Sequence, residues 1–252
     1  MKILPFLLLT VLALGGLACA ADLPGGAPGG VVYASDQGAA TPEGLYKIQW
    51  QPFESTFVKP GADLQVYDKV IVEPATVAYK TPPRQDDTRG EDDMIVPNYA
   101  LPEASIKALE QAFHDAFVKE LGKSKEFTVV TTPGPDVLRI AGRIIDLQVT
   151  VPPQGDQELG TAYHTVSAGS MTLVLEAQDS LSHEPLVAVG QTRAVQLNDG
   201  AIYSSNPASN SSAVRSLLQE WASDLRRELD QFHALPKLPA LPASAKMPTP
   251  AS

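Results

Sequence analysis

The sequence predicts an α+β domain in which a mixed β-sheet of about five strands has two amphipathic helices packed on one face. Three observations support this class. Residues 102–122 and 210–232 place apolar side chains at steps of three and four, as helices with one buried face do. Five other runs are rich in β-branched residues or alternate apolar and polar ones. The order along the chain is strand, helix, strands, hairpin and helix, so each helix has a sheet to cover.

The first strand is predicted at Tyr67–Glu73 and ends near Pro74, which has no amide hydrogen to donate. Val77 and Tyr79 are expected to continue it after a bend. The first helix follows between Pro102 and Gly122. Its apolar stripe consists of Ile106, Leu109, Phe113, Phe117 and Leu121. Proline at the start and glycine past the end are typical of a helix, and Gly122 is expected in the left-handed conformation.

The remaining strands are predicted at Phe127–Thr131, Val137–Val151, Ser167–Asp179 and Pro185–Val195. The last two are expected to form a hairpin, and the first strand–helix–strand unit is expected to be parallel. Within the longest strand the apolar positions change parity, which predicts a β-bulge near Arg143–Ile145.

The last helix is predicted at Asn210–Phe232, with Ser211 or Ser212 capping its start. Its buried stripe would consist of Val214, Leu217, Leu218, Trp221, Leu225, Leu229 and Phe232. The charged residues Arg226, Arg227, Glu228 and Asp230 are expected on the solvent-exposed face of the same helix.

The first nineteen residues are typical of a secretory signal of the lipoprotein type. Lys2 is basic, Ile3–Leu17 is apolar but short for a membrane span, and Ala18 is small. Cys19 is the only cysteine of the chain, and it stands where such signals place the acylated residue. The sequence therefore predicts lipidation of Cys19.

Two interpretations of Cys19 stay open. The window Leu14–Cys19 resembles a lipobox, although Gly16 and Leu17 replace the Leu and the Ala or Ser that are usual there. Acylation of Cys19 would hold the protein stably on a membrane, and Ala20 after it favours the outer membrane by resemblance to enterobacterial sorting. Ordinary cleavage after Ala20 at an A-x-A site would instead release a soluble periplasmic protein.

The chain has 252 residues, a formal net charge of −10 and a sequence pI near 4.8. This acidity argues against nucleic acid, since phosphate recognition needs clustered Lys and Arg, and against a charge-driven contact with anionic lipid. The predicted organisation is a signal peptide at 1–18, a flexible tether at 19–44, a single α+β domain at 45–234 and a Pro-rich disordered tail at 235–252.

The sequence carries no familiar catalytic or cofactor motif, such as a G-x-S-x-G elbow, a P-loop or a dinucleotide fingerprint. Its four histidines lack metal-ligand spacing, so no metal, cofactor or catalytic residue is assigned. Dispersed acids such as Glu73, Asp146 and Glu176 leave open an enzyme acting on cell-wall or lipid material. Arg139 and Arg143 lie four apart on one strand face and are expected to meet carboxylates in rim salt bridges.

Four segments are familiar in combination. They are YDKVIVEPATVAY at Tyr67–Tyr79, LRIAGRIIDLQVTVP at Leu138–Pro152, MTLVLEAQDSLSHEPLVAV at Met171–Val189 and LLQEWASDLRRELDQF at Leu217–Phe232. Together they resemble a bacterial lipoprotein family known as domain of unknown function 3313. The resemblance implies a secreted, usually lipidated protein of the Gram-negative envelope. It brings no site residues, because the family has no established activity.

The sequence is therefore expected to encode a non-enzymatic envelope lipoprotein. Acyl chains such as palmitate on Cys19 would anchor it in the outer membrane, with a periplasmic domain that binds or assembles another envelope component. Its partners would be the membrane and an envelope protein or peptidoglycan. The alternatives are an envelope enzyme and a small-ligand carrier. Trp50, Phe53 and Phe57 are expected to pack onto the sheet, the alternative being exposed aromatic anchors.

Overall fold

The computed structural model describes residues 31–34, 40–80, 98–151, 164–165, 167–196, 203–204, 207–238 and 240–241. Over these residues the protein is a mixed α+β fold with a sheet of eight strands, a separate strand pair and two helices. The strands are β1 Tyr46–Ile48, β2 Ser55–Val58, β3 Lys69–Val72, β4 Thr76–Tyr79, β5 Thr128–Val129, β6 Val137–Val149, β7 His164–Thr165, β8 Ser167–Asp179, β9 Pro185–Gln196 and β10 Tyr203–Ser204. The helices are α1 Glu103–Leu121 and α2 Pro207–His233.

The strand order in the large sheet is β1-β2-β9-β8-β6-β3-β5, and β4 also pairs with β6. The strands β3, β4 and β5 run parallel to their partners, whereas β6, β8, β9, β2 and β1 form an antiparallel series. The predicted parallel pairing of the first strand–helix–strand unit and the predicted β8–β9 hairpin are therefore confirmed. The strand pair β7–β10 lies apart from this sheet.

The sheet has eight strands, so the predicted number of five is wrong. The five predicted strands are present as β3, β5, β6, β8 and β9. The additional strands β1, β2 and β4 have three or four residues each. β4 contains Val77 and Tyr79, the residues expected to continue the first strand after a bend, whereas β1 and β2 are not among the predicted strands. β2 pairs with the distant β9, as in Thr56 opposite Val189, and β1 pairs with β2.

Both predicted helices are present, but their ends differ from the expectation. Gly122 has φ −64° and ψ −9°, which is right-handed, so the expected left-handed cap is wrong. Its amide still donates to the Val118 carbonyl at 3.0 Å, so the helical bonding continues through it. The second helix begins at Pro207, which places Ser211 and Ser212 inside the helix rather than at its cap.

The predicted bulge in β6 lies just beyond the expected position. The register with β8 shifts between Ile145 and Gln148, and Asp146 between them has φ 51°. Gly169 of β8 pairs with Val149 just past the bulge, and its φ is 149°. A Cβ atom at Gly169 would lie 2.0 Å from the Gln148 carbonyl oxygen, so this close approach of two backbones requires glycine.

Both helices pack on the same face of the sheet. Phe113 of α1 lies directly over Gly142 of β6, and Trp221 of α2 donates a 2.8 Å hydrogen bond from Nε1 to Gln191 Oε1 of β9. The register aligns Gly142 with Leu175 and Val189, and Gln191 projects on the same side as Val189 two residues away. The core therefore lies between this face and the two helices, which also contact each other.

Ordered contacts reach beyond the strands and helices at both ends. Tyr33 bridges Ile48, and the amide of Ala34 donates to the Lys47 carbonyl at 2.9 Å. After α2, Leu238 is 2% exposed and its amide donates to the carbonyl of Ala62. No helix in the described part of the chain has a stretch long and apolar enough to cross a membrane.

Candidate binding surface on the helix-free face of the sheet

The large sheet presents a second face on which neither α1 nor α2 packs. We call it the open face. Its side chains come from Phe57, Ile71, Glu73, Arg139, Ala141, Arg143, Ile145, Thr172, Val174, Glu176, Gln178, Ala188 and Thr192. These residues are half-buried or exposed, whereas their immediate neighbours on the same strands are mostly buried. The alternation of the strands thus separates an apolar core face from a mixed polar face.

A hydrogen-bonded network of charged and amide side chains crosses the open face. Arg139 donates from Nε to Glu73 Oε1 at 3.2 Å and from Nη1 to Gln178 Oε1 at 2.7 Å. Gln178 Nε2 donates to Glu176 Oε2 at 2.7 Å, and Arg143 Nη2 donates to Glu176 Oε1 at 2.7 Å. Three neighbouring regions, β6, β8 and the residue after β3, are therefore linked by fixed polar contacts.

The two arginines meet carboxylates, as their spacing predicts. Glu73 and Glu176, two of the three acids that the sequence left open as catalytic groups, are the partners in these salt bridges. They lie on opposite sides of β6, since the strand order is β3-β6-β8. Asp146 lies in the bulge, where its Oδ2 accepts a 3.4 Å hydrogen bond from Thr172. The structure therefore uses all three acids as acceptors for neighbouring side chains.

The aromatic residues before and within β2 divide between the core and the open face. Phe53 is 2% exposed and belongs to the core. Trp50 stacks on Phe232 of α2, with ring centroids 4.9 Å apart. Phe57 pairs with Ala188 and remains half-exposed on the open face. Two of the three aromatic side chains thus pack as expected, and the third adds apolar surface to the open face.

A shallow depression of about 520 Å³ lies at the β5 edge of the sheet, lined by Lys69, Asp136 and residues 129–134. The Lys69 ammonium binds Asp136 and also donates to Asp68 at 2.9 Å. Hydrogen bonding to these carboxylates raises the pKa of Lys69, and the bond from Lys69 lowers the pKa of Asp136. The positive charge of Lys69 is therefore already paired with carboxylates, so the depression does not offer an unpaired cation to a ligand.

Among the described residues, no group of three His, Cys, Asp or Glu side chains could hold a metal ion.

The model of a family described as a protein of unknown function, DUF3313, matches residues 49–225. The chain belongs to the DUF3313 family. The matched region runs from the residues before β2 into α2, so it contains the whole open face. The resemblance inferred from the four sequence segments is thereby confirmed at the level of the family. No curated protein matches the DUF3313 chain.

Several solved structures are similar to the DUF3313 chain at low identity. One is a PelC dodecamer from Paraburkholderia phytofirmans, with 14% identity, 68% of this chain and 96% of that chain covered, and a TM-score of 0.32. A DUF330 protein from Xanthomonas campestris has 14% identity, coverages of 68% and 87%, and a TM-score of 0.35. A putative neuraminyllactose-binding hemagglutinin homolog from Helicobacter pylori has 13% identity, coverages of 69% and 86%, and a TM-score of 0.33.

A second polar feature of the DUF3313 domain lies at the turn between β8 and β9. Asp179 Oδ1 accepts hydrogen bonds from the amides of Leu181 and Ser182 at 3.0 and 2.7 Å, and Tyr67 donates to Oδ2 at 3.1 Å. The bonds from Ser182 lower the pKa of Asp179. Burial, followed by the bond to Asp179, raises the pKa of Tyr67 to about 12. This carboxylate therefore holds the turn and the loop before β3 together.

A buried carboxylate lies between α2 and β2. Glu228 is 1% exposed, so its predicted place on the solvent-exposed face of the helix is wrong. Within the described residues neither carboxylate oxygen has a hydrogen-bond partner. Burial raises its pKa to about 8, the charge of Asp224 adds to the rise, and the facing Thr56 hydroxyl opposes it. Position 228 lies at steps of three and four from the buried positions 221, 225 and 232, which predicts a place in the buried stripe. The charge of Glu228 favoured the solvent-exposed face instead.

The predicted lipidation site lies elsewhere in the chain. Cys19 is outside the described residues, as are most of the predicted tether and the last part of the predicted tail. The acylation of Cys19 and the boundaries 1–18, 19–44, 45–234 and 235–252 therefore stay predictions.

Proposed function

We propose that this DUF3313 protein is a non-enzymatic lipoprotein of the cell envelope, acylated at Cys19 and held on the outer membrane. Its periplasm-facing domain binds or assembles another envelope component through the open face. The observation that carries this proposal is the charged network on the open face, which lies opposite the face covered by the two helices.

The geometry of the network supports binding. Side chains that are already bonded to one another lose less conformational freedom when a partner arrives. A guanidinium has five N–H donors, and Arg143 uses Nη2 in the network while Arg139 uses Nε and Nη1. Each arginine therefore keeps donors for a partner. Glu73 and Glu176 are engaged as acceptors in these contacts, which favours a recognition role for them over acid–base chemistry.

The distance from the predicted anchor supports a site of action close to the membrane. The chain between Cys19 and Val31 reaches at most about 40 Å when fully extended. Several acyl chains on one cysteine give effectively stable anchoring, because each buried methylene adds to membrane affinity. The described domain would therefore begin within about 40 Å of the membrane surface.

The anchoring is tested by intact mass of the full chain purified from membranes, beside a Cys19→Ala variant. The expected mass is that of a mature protein starting at Cys19 with acyl chains, and the variant should lack the lipid and leave the membrane fraction. A lipid-free mass beginning at Ala21 would make the protein a free periplasmic one and would overturn the anchored form of the proposal.

The binding face is tested by site-specific photocrosslinking in intact cells. A photoreactive residue replaces Thr192, which is exposed on the open face, and a matched one replaces Lys107, which is exposed on α1. We expect a discrete crosslinked product from position 192 and none from position 107. Equal labelling from both positions would show that the open face is not the binding surface.

A further inference from the structure

The four charges of the open face form a diamond around Ala141. Arg139 and Arg143 lie two residues before and after Ala141 on β6, about 13 Å apart at strand spacing. Glu176 is directly opposite Ala141 on β8, and Glu73 follows Val72, which pairs with Ile140. The two glutamates therefore flank β6 on either side, about 10 Å apart at two sheet spacings.

This arrangement is complementary to itself. A two-fold axis that is parallel to the face, lies above Ala141 and runs diagonally to the strands exchanges the arginine positions with the glutamate positions. The two diagonals of the diamond are about 13 and 10 Å, so the misfit at each charge is about 2 Å, which long side chains can absorb. In such a pair every arginine of one copy lies over a glutamate of the other, and no two like charges meet.

We propose that the open face docks onto the open face of a second copy of this chain, with the two-fold axis at Ala141. This rests on the proposed function of the open face as the binding surface, and it names a second copy of the chain as the component that the face assembles. Strands of the two copies cross at roughly a right angle, which is one of the two common arrangements of packed sheets. The interface is isologous, so each residue contact occurs twice.

The size of the face predicts a weak contact that the membrane reinforces. Five strands at sheet spacing and about five residues of each give a flat footprint of roughly 400 Å² per copy. A standard stable complex buries about 800 Å² per partner, so the pair is expected to be concentration-dependent in solution. Tethering both copies to one membrane raises their effective concentration and favours the pair.

The test uses the residue on the proposed axis, because a position on a two-fold axis faces its own equivalent. In the full chain, an Ala141→Cys variant is treated in intact cells with a short bismaleimide reagent and compared with Ala194→Cys. Facing sheets pack about 10 Å apart, which exceeds the roughly 7 Å that a direct disulfide allows, so a reagent that spans this gap is needed. Ala194 is exposed on the same side of β9 as Ala188 but six residues, about 20 Å, further along the strand, so it lies away from the proposed axis.

We expect a crosslinked product of twice the chain mass from Ala141→Cys and none from Ala194→Cys or from the unaltered chain, whose only cysteine is Cys19. A chain that carries the reagent at position 141 and remains monomeric would overturn the proposal. An adduct with a different envelope protein would also overturn it while leaving the proposed function intact. Photocrosslinking from position 192 needs no cysteine in the partner, so it decides the proposed function separately.

A charge exchange in the same background tests the contact itself. Arg139→Glu with Arg143→Glu, and separately Glu73→Arg with Glu176→Arg, should each lower the crosslinked fraction of Ala141→Cys at least tenfold. Production of the two altered chains together should restore it as a mixed pair, because each arginine again faces a glutamate. A crosslinked fraction that is unchanged in the single-sign variants would contradict the proposed contact, provided circular dichroism shows the fold retained.

Discussion

The two faces of the large sheet are made by the same strands and differ in what constrains their side chains. On β6, Ile140, Gly142 and Ile144 face the helices and are fully buried, while Arg139 and Arg143 alternate with them on the open face. The covered face is constrained by volume, since Phe113 occupies the place of a side chain at Gly142. The open face is constrained by charge geometry. Stability should therefore depend on the covered face, and recognition on the open one.

The largest difference in the free energy of unfolding is expected between alanine substitutions at two glycines of the same sheet. A Cβ at Gly142 would lie 2.3 Å from Phe113 Cζ, and Phe113 is itself stacked on Phe117 at 4.2 Å between centroids. Gly142→Ala should therefore lower the free energy of unfolding by about 3 kcal/mol, the upper part of the usual range for overpacking. The measurement is urea unfolding followed by circular dichroism.

Gly190→Ala is the matched control for this substitution. Gly190 is on the open side of β9, and the nearest atom to its Cβ position is the Leu173 carbonyl oxygen at 4.0 Å. Alanine there should be neutral or stabilise by up to about 1 kcal/mol, because it restricts the unfolded chain. Equal destabilisation by the two substitutions would contradict the contrast between the faces.

The next largest effect on the free energy of unfolding is expected from a substitution of Glu228, and this effect depends on pH. The folded-state pKa of about 8 exceeds the ordinary value of 4.5, so the folded chain binds more protons and loses stability as pH rises between those values. Glu228→Gln removes this loss. The amide does not titrate, so any cost of leaving it unpaired is the same at every pH. We therefore expect the free energy of unfolding of the variant to gain at least about 2 kcal/mol over that of the natural chain between about pH 4.5 and about pH 8.5.

The control for this prediction is Glu220→Gln on the same helix. Glu220 is 65% exposed and binds Arg193 at 3.0 Å, so Glu220→Gln removes a carboxylate from the same helix without removing a buried one. A Glu228→Gln variant whose difference from the natural chain is constant over this pH range would show that the buried carboxylate does not titrate as described.

A smaller effect is expected at Asp179, where several hydrogen bonds converge on one carboxylate. Asp179→Ala should lower the free energy of unfolding by about 1–2 kcal/mol at neutral pH, because the amides of Leu181 and Ser182 lose their acceptor. The pKa of Asp179 is lowered, so its contribution is present above the ordinary value of 3.8 and is lost as pH falls through the folded value. Thermal unfolding at about pH 7 and about pH 2.5 measures this, and a pH-independent difference would contradict it.

The long elements were predictable because their own residues repeat often enough to reveal a period. The 13-residue strands β6 and β8 and the two helices belong to this group, and their bounds differ from the predicted ones by at most three residues. The places of β2 and β4 in the sheet were not predictable, since they depend on pairing with β9 and β6, which lie far away in sequence. Glu228 was misplaced because its charge was weighted above its position in the helical stripe.

The site was predictable only in part. Arg139 and Arg143 share a strand face by spacing alone, which the sequence reveals. Their partners do not follow from local pattern, because Glu73 precedes Arg139 by 66 positions and Glu176 follows Arg143 by 33. Only the register of β3 and β8 against β6 brings these four charges together.

The smallest effect on stability is expected from the open face itself. A double-mutant cycle with Arg143→Ala and Glu176→Ala should give a coupling energy below about 1 kcal/mol, because Arg143 is 55% exposed and water screens the pair. Unfolding measured at low salt and at about 1 M salt should differ little between the variants. A coupling of several kcal/mol would mean that the network maintains the fold. A small coupling is what the proposed binding role of these four charges predicts, because the sheet register and not the network would then maintain the fold.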